Sequence, residues 1–364
     1  MPENVRVSDA YASAGIDTAE ADRGVGALAR VLGGIDPGRP PLALPLPGHY
    51  ASVLRVASDL GIALATDSVG SKVIVAQQVG RFDTIGIDCV AMNVNDLICA
   101  GAEPLALLDY VAVERAETEF LEQLAIGLRA GAEAAGVEIP GGEICQLPEV
   151  IRGHPSPYGF DLVGSAFGTV ALDRVIDGGA CVPGDAVIGL PSSGLHANGL
   201  TLARRVLLDE GGMAVDFRAE ALGGRSLGEE LLTPTTIYVR AVLELLRSDI
   251  PVHGLAHITG GGVLNLLRIG TGIGYELTAP LPVPPVFELI SEGGSVPAAE
   301  MWEVFNMGCG FCAMVAPDDA AKAAALLDGH HPGAAVVGRV TEESGRIALP
   351  ELGLAGDSGG LKQA

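Results

Sequence analysis

A polar, glycine-bearing run at positions 173–184 divides the chain into two halves, and each half carries both strand and helix signals. In the first half, short apolar runs predict strands. Positions 84–100 repeat apolar residues at intervals of three and four, which is the spacing of a helix with one buried face. The second half again alternates strand-like and helical segments. We therefore expect an α+β chain with two α/β-type domains at residues 1–172 and 173–350, followed by a flexible tail at 351–364.

The composition permits two sizeable cores and argues against several classes of function. The 364 residues are 48% hydrophobic, and the formal net charge of −23 does not suit a nucleic-acid surface, which needs basic patches. No stretch has the length and apolarity of a membrane span, and the first residues do not resemble a signal peptide. Six cysteines without the spacing of a small secreted domain predict reduced thiols in a cytoplasmic protein. Cys309 and Cys312 have a redox or zinc spacing, but a structural zinc site usually needs four ligands.

The segment 66–72 places an acid and a base on a flexible turn directly after a strand-like run. Further polar residues follow it along the first half, and the whole set is Asp67, Gly70, Ser71, Lys72, Asp88, Asn95, Asp96, Gly141, Gly142 and Glu143. Mg²⁺ prefers carboxylate oxygens and bridges phosphates, and a lysine can neutralise phosphate charge. The pattern therefore favours a magnesium–nucleotide site. For the three polar residues of the 84–100 helix, a solvated helix face is the alternative interpretation.

Two loops of the second half, at 191–199 and 257–262, place glycines and hydroxyl groups where a helix begins. The unpaired N–H groups of a helix N-terminus and the helix dipole favour an anion at that position. His196 and His257 lie in these loops. A histidine in a polar turn is often structural, so both a structural and a catalytic role remain open.

Several longer motifs occur in order along nearly the whole chain. They are Tyr11-x-x-Ala14-Gly15-Ile16-Asp17, the 66–72 segment, 82–97, 101–104, Gly141-Gly142-Glu143, 192–199, 231–235, 257–262 and 305–308. With these motifs the chain resembles the phosphoribosylformylglycinamidine cyclo-ligases, also called aminoimidazole ribonucleotide synthetases. The similar stretches run from position 11 to about position 340.

The resemblance implies a homodimer in which the first domain pairs with its twin to form a continuous barrel-like sheet, beside a sandwich-like α/β second domain. It also implies ATP and Mg²⁺ as cofactors on the first domain and a small nucleotide substrate across the cleft. In the family reaction the γ-phosphate of ATP activates an amide oxygen of formylglycinamidine ribonucleotide. A ring nitrogen then attacks, phosphate leaves, and the product is aminoimidazole ribonucleotide, an intermediate of purine biosynthesis.

The resemblance also suggests a role for each motif residue. The expected metal ligands are Asp67, Asp88, Asp96 and Glu143. The expected nucleotide contacts are Asp67, Gly70, Ser71, Lys72, Asn95, Gly141 and Gly142. The expected substrate contacts are Ser193, Asn198, Thr259, Gly260 and Gly261. The expected catalytic residues are Lys72, which would contact phosphate, His196, which would relay a proton or stabilise the developing phosphate, and His257.

Two segments depart from the family pattern. Where the family has a glycine-rich loop, positions 35–45 are rich in proline, and Ile144 stands where the family has threonine after Gly-Gly-Glu. Two alternatives therefore remain open. One is a divergent enzyme that phosphorylates another small substrate, as thiamine-monophosphate kinases do, and the other is a non-catalytic nucleotide-binding dimer. The motifs at 192–199 and 231–235 favour the cyclo-ligases over the kinases.

Overall fold

A computed structural model describes residues 18–364, and it contains one β-sheet in each half of the chain. The strands of the first sheet are β1 (Ser52–Arg55), β2 (Leu60–Ser68), β3 (Glu103–Val113), β4 (Glu138–Gln146) and β5 (Phe160–Ala171). Their order is β1-β2-β5-β3-β4, and all neighbours are antiparallel except β3 and β4. The expectation of an α+β chain with two sheet-containing domains is therefore confirmed. Within one chain the first sheet is open, with β1 and β4 at its edges, so the barrel is not formed by this chain alone.

Helices cover one face of the first sheet. The helices of the first half are α1 (Thr18–Leu32), α2 (Lys72–Val79), α3 (Ile85–Cys99) and α4 (Thr118–Ala135). Residues of β5 alternate between buried and half-buried positions, which is the pattern of a strand with one covered face. Glycines allow α3 and α4 to pack closely, because a methyl group on Gly86 would lie 2.0 Å from the backbone nitrogen of Leu128. The amphipathic 84–100 segment is therefore held at short range against α4.

The opposite face of the first sheet carries apolar side chains that no element of the described chain covers. Leu60, Leu108 and Tyr110 are exposed there, with 40%, 40% and 37% of their surface accessible. The strand register places all three on the side away from α3, since Leu108 lies opposite Ser165 and Tyr110 lies opposite Val163. An apolar sheet face of this kind is typical of an interaction surface.

The second half forms a mixed eight-stranded sheet. Its strands are β6 (Ala186–Pro191), β7 (Val252–His257), β8 (Gly274–Glu276), β9 (Cys309–Val315), β10 (Ala335–Thr341), β11 (Ile347–Leu349), β12 (Leu354–Asp357) and β13 (Gly360–Gln363). The strand order is β13-β12-β11-β8-β10-β6-β9-β7. The helices of this half are α5 (Leu200–Arg204), α6 (Leu227–Leu231), α7 (Val239–Arg247), α8 (Pro285–Gly294), α9 (Ala298–Val304) and α10 (Ala320–His330). The helix expected after the 257–262 loop is a 3₁₀ helix, Gly262–Arg268.

The expectation of a flexible tail at 351–364 is wrong. Residues Leu354–Asp357 pair with β11 on one side and with Gly360–Gln363 on the other, so the last strands extend the second sheet. Leu354 and Leu361 are buried, and their side chains pack this hairpin against the core. Two buried leucines in a short polar segment gave too weak an alternation to predict strands from the sequence.

The N-terminal part of the described chain is a helix followed by a loop. The motif at 11–17 lies outside the described residues. Helix α1 is exposed, and the proline-rich loop after it joins the first sheet only through an isolated bridge between Ala43 and Leu54. Within residues 18–364, every helix is too short or too polar to cross a bilayer.

Candidate active site

Lys72 begins α2, is fully buried, and bridges the two domains. Its ammonium group donates hydrogen bonds to Asp88 Oδ1 at 2.8 Å, to the carbonyl oxygen of Thr233 at 2.6 Å and to that of His196 at 3.1 Å. Burial lowers the pKa of Lys72, and the Asp88 carboxylate opposes this effect. An ammonium group has three protons to donate, and here all three are used inside the protein. Lys72 is therefore not placed to contact a phosphate, which corrects the expectation from the sequence.

Asp88 lies on α3 and completes the same network. Its Oδ1 also accepts hydrogen bonds from the backbone nitrogen of Thr235 at 2.8 Å and from the Thr235 hydroxyl at 2.6 Å. Its side chain has no exposed surface. The predicted role of Asp88 as a metal ligand does not fit this structure, because the carboxylate is closed off between the domains. The alternative of a solvated helix face is also wrong, because Asp88 and Asn95 are both fully buried.

His196 lies in the 191–199 loop and organises it. The residue has a φ of 63° and is 2% exposed. Its Nε2 accepts hydrogen bonds from the backbone nitrogens of Ser193 at 3.2 Å and Thr236 at 3.4 Å, while the Ser193 hydroxyl donates to the carbonyl oxygen of Pro234 at 2.5 Å. Burial lowers the pKa of His196 well below its usual value, so the ring is neutral. With Nε2 engaged by two backbone N–H groups, His196 has a structural role in these contacts, and its expected role as a proton relay stays a prediction. The residue, like Ser193, ties two loops of the second domain together.

His257, at the end of β7, contacts two neighbouring residues of α3. Its Nδ1 lies 2.9 Å from Asp96 Oδ1, and its Nε2 lies 3.4 Å from Asn95 Nδ2. This geometry assigns the ring proton to Nδ1, because the Asn95 amide nitrogen can only donate. Asn95 also bonds the backbone of Thr236 and Tyr238, so its amide is committed to the domain interface. The Asp96 side chain is 20% exposed whereas His257 has no exposed surface, so Asp96 is the member of the pair that reaches the cleft.

Asp67, near the end of β2, is electrostatically coupled to Asp96. Burial raises the pKa of Asp67, the backbone N–H of Ser68 opposes this, and the Asp96 charge raises it further. A cation beside Asp67 would favour its ionised form. Among residues 18–364, no group of three or more His, Cys, Asp or Glu side chains is arranged to hold a metal ion. Mg²⁺ commonly takes only one or two carboxylates and completes its shell with water and phosphate oxygens, so the Asp67–Asp96 pair fits that ion.

Glu143 does not join this pair. The strand register places Asp67, Gly164, Asp109 and Gly142 in one row across the first sheet, on the face that α3 covers. Glu143 follows Gly142 along β4, and successive side chains of a strand point to opposite faces. Its exposed side chain is therefore on the other side of the sheet from Asp67. Within one chain, Glu143 is therefore not grouped with Asp67 and Asp96, and its expected role as a metal ligand stays a prediction.

Asp109 is a half-buried acid that the sequence reasoning did not propose for the site. Burial raises the pKa of this carboxyl group. A methyl group on Gly142 would lie 2.3 Å from Asp109 Oδ1, so Gly142 leaves room for this side chain, whereas Gly141 has open space around it. The sequence did contain an indication of this role. Asp109 is an acid within the otherwise apolar strand β3, and an acid is costly to bury without a partner.

The turn after β2 meets the second domain directly. The hydroxyl of Ser71 lies 2.8 Å from that of Thr201 on α5, and the preceding Gly70 has a φ of 67°. Close by, Asn198 Nδ2 lies 3.8 Å from the sulfur of Met92 on α3. Ser71 and Asn198, expected to contact nucleotide and substrate respectively, thus make contacts between the domains.

The Thr259 loop is braced from within by Asn265, which the sequence reasoning missed. Asn265 Oδ1 accepts hydrogen bonds from the backbone nitrogen of Thr259 at 2.7 Å and from its hydroxyl at 3.3 Å. Gly260 is exposed, and Gly261 has a φ of 120°. A methyl group on Gly260 would lie 3.2 Å from Asn198 Oδ1. Of this loop, Gly260 is therefore the part that is open to a ligand.

The cysteine pair lies apart from this cluster. The sulfur atoms of Cys309 and Cys312 are 3.5 Å apart, and all six cysteines of the chain are free thiols. Both residues line an apolar pocket of the second domain together with Trp302 and Met307. The hydrogen bond with the neighbouring Cys309 thiol raises the pKa of Cys312, and burial raises it further, which makes its thiolate scarce.

Acidification is expected to destabilise the fold through its buried histidines. Burial lowers the pKa of His49, His196 and His331 from the ordinary value of 6.5. The unfolded chain binds protons near that pH while the native chain does not, so stability is lost as the pH falls below about 6.5. The measurement is the thermal unfolding midpoint between pH 7.5 and pH 5.5 at constant ionic strength. A midpoint that stays level across this range would contradict the assignment of neutral buried rings.

Comparison with known proteins agrees with this architecture. Residues 48–170 match the family model of the AIR synthase related protein N-terminal domain, and residues 182–349 match that of the C-terminal domain. The phosphoribosylformylglycinamidine cyclo-ligase of Methanothermobacter thermautotrophicus is 49% identical over 83% of this chain and 86% of its own. That of Thermococcus gammatolerans is 48% identical over 92% of this chain and 96% of its own. The chain belongs to the phosphoribosylformylglycinamidine cyclo-ligase family, within the AIR synthase related proteins.

Solved structures of more distant proteins share the fold. The hydrogenase maturation protein HypE in complex with ATP has a TM-score of 0.57 and 21% identity, covering 84% of this chain and 86% of that one. The Aquifex aeolicus thiamine monophosphate kinase has a TM-score of 0.55 and 18% identity, covering 89% and 95%. The similarity establishes a common two-domain fold.

Proposed function

We propose that the chain is an ATP-dependent cyclo-ligase that converts formylglycinamidine ribonucleotide to aminoimidazole ribonucleotide in de novo purine synthesis. Relatives that carry the name of this activity are almost half identical to it over most of the chain. The geometric observation that carries the proposal is the 2.9 Å contact between Asp96 and His257 where the two domains meet. Asp67 belongs to the same site because the Asp96 charge raises its pKa. The free thiols and the absence of a membrane-spanning helix in residues 18–364 are compatible with a cytoplasmic enzyme.

The proposed reaction has two steps. The amide oxygen of the substrate attacks the γ-phosphorus of ATP, and ADP leaves. A substrate nitrogen then attacks the carbon that bears the phosphorylated oxygen, inorganic phosphate leaves with that oxygen, and the nitrogen loses a proton as the ring forms. Phosphorylation converts a poor leaving group into a good one. Phosphoryl transfer depends mainly on positioning and charge neutralisation, which suits a site built from carboxylates and backbone groups.

The contacts of the cluster suggest how its residues divide this work. Asp96 reaches the cleft, so we assign it, with Asp67, to the nucleotide side of the site. His257 is buried behind Asp96 and fixes the orientation of its carboxylate through the 2.9 Å contact. Mg²⁺ would be held by Asp67 and Asp96 and would neutralise charge on the ATP phosphates. Two structural neighbours, HypE in complex with ATP and the Aquifex aeolicus kinase ThiL with AMPPCP and TMP, support nucleotide binding on this fold.

The test is a steady-state assay with purified protein, Mg-ATP and formylglycinamidine ribonucleotide. We expect ADP release that depends on the ribonucleotide, together with formation of aminoimidazole ribonucleotide identified by mass spectrometry. ADP release with thiamine monophosphate but not with the purine intermediate would favour the kinase alternative. Tight ATP binding without turnover on either substrate would favour a non-catalytic nucleotide-binding dimer.

We also propose that the first domain pairs with a second copy to form the barrel-like sheet of a homodimer. The open sheet presents Leu60, Leu108 and Tyr110 to solvent in the single chain, and burying such a face on an identical one would remove it from water. The same pairing would bring the exposed Glu143 of one copy near the surface of the other.

Leu108→Glu is expected to convert the dimer to a monomer, because it places a charge in the centre of the paired sheets. The molar mass, measured by light scattering after size-exclusion chromatography, should fall by half, while the far-UV circular dichroism stays unchanged because Leu108 is exposed in the single chain. Leu352→Glu is the matched control, since Leu352 has a similar exposure of 39% in the second domain. A wild-type protein that elutes as a monomer would contradict the proposal.

A further inference from the structure

The Lys72–Asp88 pair connects four segments that are distant in the chain. Lys72 begins α2, Asp88 lies in the first turn of α3, and their partners belong to two loops of the second domain. One loop, 191–199, contributes the carbonyl oxygen of His196. The other, 232–238, contributes the carbonyl oxygen of Thr233 and both donors of Thr235. Asn95 of the first domain also bonds the 232–238 loop, through the backbone of Thr236 and Tyr238, so the ion pair and this amide hold that loop together.

A buried ion pair is a poor device for stability alone. The free energy needed to remove two charges from water offsets most of the free energy of their attraction. Well-packed apolar residues at the same positions would stabilise the fold at least as much. What the pair supplies is geometry. Lys72 donates in three directions and Asp88 Oδ1 accepts from three groups, so each loop is held at a defined distance. His196 has a left-handed backbone conformation at this point, which is uncommon for a residue other than glycine.

We propose that Lys72 and Asp88 are positioning residues. They hold the 191–199 and 232–238 loops, which form the substrate side of the cleft, in place opposite the nucleotide side. Neither residue touches nucleotide or metal. The pair acts through those loops, which also carry Ser193 and Asn198. This inference rests on the proposed function, because it assigns the loops to the substrate side of the same site.

The experiment compares Lys72→Met, Asp88→Asn and the double variant. Asparagine retains an oxygen that can accept from Thr235, and methionine keeps the length of the lysine side chain. Each single variant leaves one buried charge without its partner, so we expect a lower thermal midpoint in both, and partial recovery in the double variant, where both charges are gone. In every variant that folds, the KM for formylglycinamidine ribonucleotide should rise at least tenfold, while the Kd for Mg-ATP by calorimetry stays within about twofold.

Lys322→Met is the matched control, because Lys322 pairs with Asp249 at the surface and should leave all three measurements unchanged. A tenfold loss of Mg-ATP affinity in Lys72→Met would overturn the proposal, since it would mean a direct phosphate contact. Wild-type KM and kcat in the double variant would overturn it as well.

Hydrogen exchange separates a failure of this inference from a failure of the proposed function. If the wild-type protein does not turn over the ribonucleotide, the proposed function fails, but the amides of both loops should still exchange faster in the double variant than in the wild type. Unchanged exchange in both loops would mean that the pair does not position them.

Discussion

Asp96→Asn is expected to lower kcat/KM for ATP-dependent turnover by about 100-fold or more, a loss of roughly 3 kcal/mol of transition-state stabilisation. The substitution keeps an oxygen that can accept the hydrogen bond from His257 Nδ1, so the local geometry is preserved. It removes the charge that Asp96 presents to the cleft and to Asp67. Because Asp96 is only partly buried, the thermal midpoint should change little.

A second readout of the same variant depends on pH. The Asp96 charge contributes to the raised pKa of Asp67, so removing it should lower the pKa of Asp67. Since cation and nucleotide binding need the ionised form of Asp67, the remaining Mg-ATP binding of the variant should persist to lower pH than in the wild type. The matched control is Glu244→Gln, an acid that pairs with His330 at 2.8 Å on the surface. Turnover within twofold of wild type in Asp96→Asn would remove Asp96 from the site.

The regular elements of the first domain could be predicted from the sequence because their signals are local. The apolar repeat at 84–100 corresponds to α3, and the apolar run before Asp67 corresponds to β2. The end of the chain could not be predicted in this way. Its two strands have four residues each, Leu354–Asp357 pairing with β11 and Gly360–Gln363 pairing with β12. A strand this short shows too little alternation of apolar and polar residues to be recognised from its own sequence.

The site was harder to predict than the fold, because the sequence does not indicate which polar groups satisfy each other. Lys72 and Asp88 have the residue types of a phosphate contact and a metal ligand. They are 16 positions apart, and nothing in that spacing shows that the second domain closes over both of them. Burial decides their role, and burial of an interface depends on the packing of two domains. Asp67 and Asp96 have the same residue type as Asp88, but their side chains are only partly buried.

The glycine-rich loop after Thr259 is a second place where the sequence does not indicate which residues are buried. Three successive glycines suggested an anion-binding loop at a helix N-terminus, but they differ in the structure. Gly260 is exposed, whereas Gly262 is buried against the C-terminal end of α9. The motif therefore combines one position that is open to a ligand with one that is required for packing.

Gly262→Ala is expected to be the most destabilising of the single changes in this loop. Its φ is 51°, and a methyl group would lie 2.0 Å from the carbonyl oxygen of Trp302 and 2.8 Å from that of Phe305. A left-handed backbone costs alanine about 1–2 kcal/mol, and overpacking against rigid backbone adds about 1–3 kcal/mol. A total of about 3 kcal/mol should lower the thermal midpoint by about 5 °C, measured by calorimetry.

Gly272→Ala separates the two causes of this loss. Gly272 also has a left-handed backbone, with a φ of 76°, but it is exposed and has no atom within 4 Å of the position that a methyl group would take. It should therefore lose only the backbone part, about 1–2 kcal/mol. Equal losses in the two variants would mean that the Trp302 carbonyl moves aside without cost, and the loop would then be less firmly packed than its contacts indicate. A larger loss in Gly262→Ala would establish that the third glycine of the motif serves the packing of the second domain and not the binding of an anion.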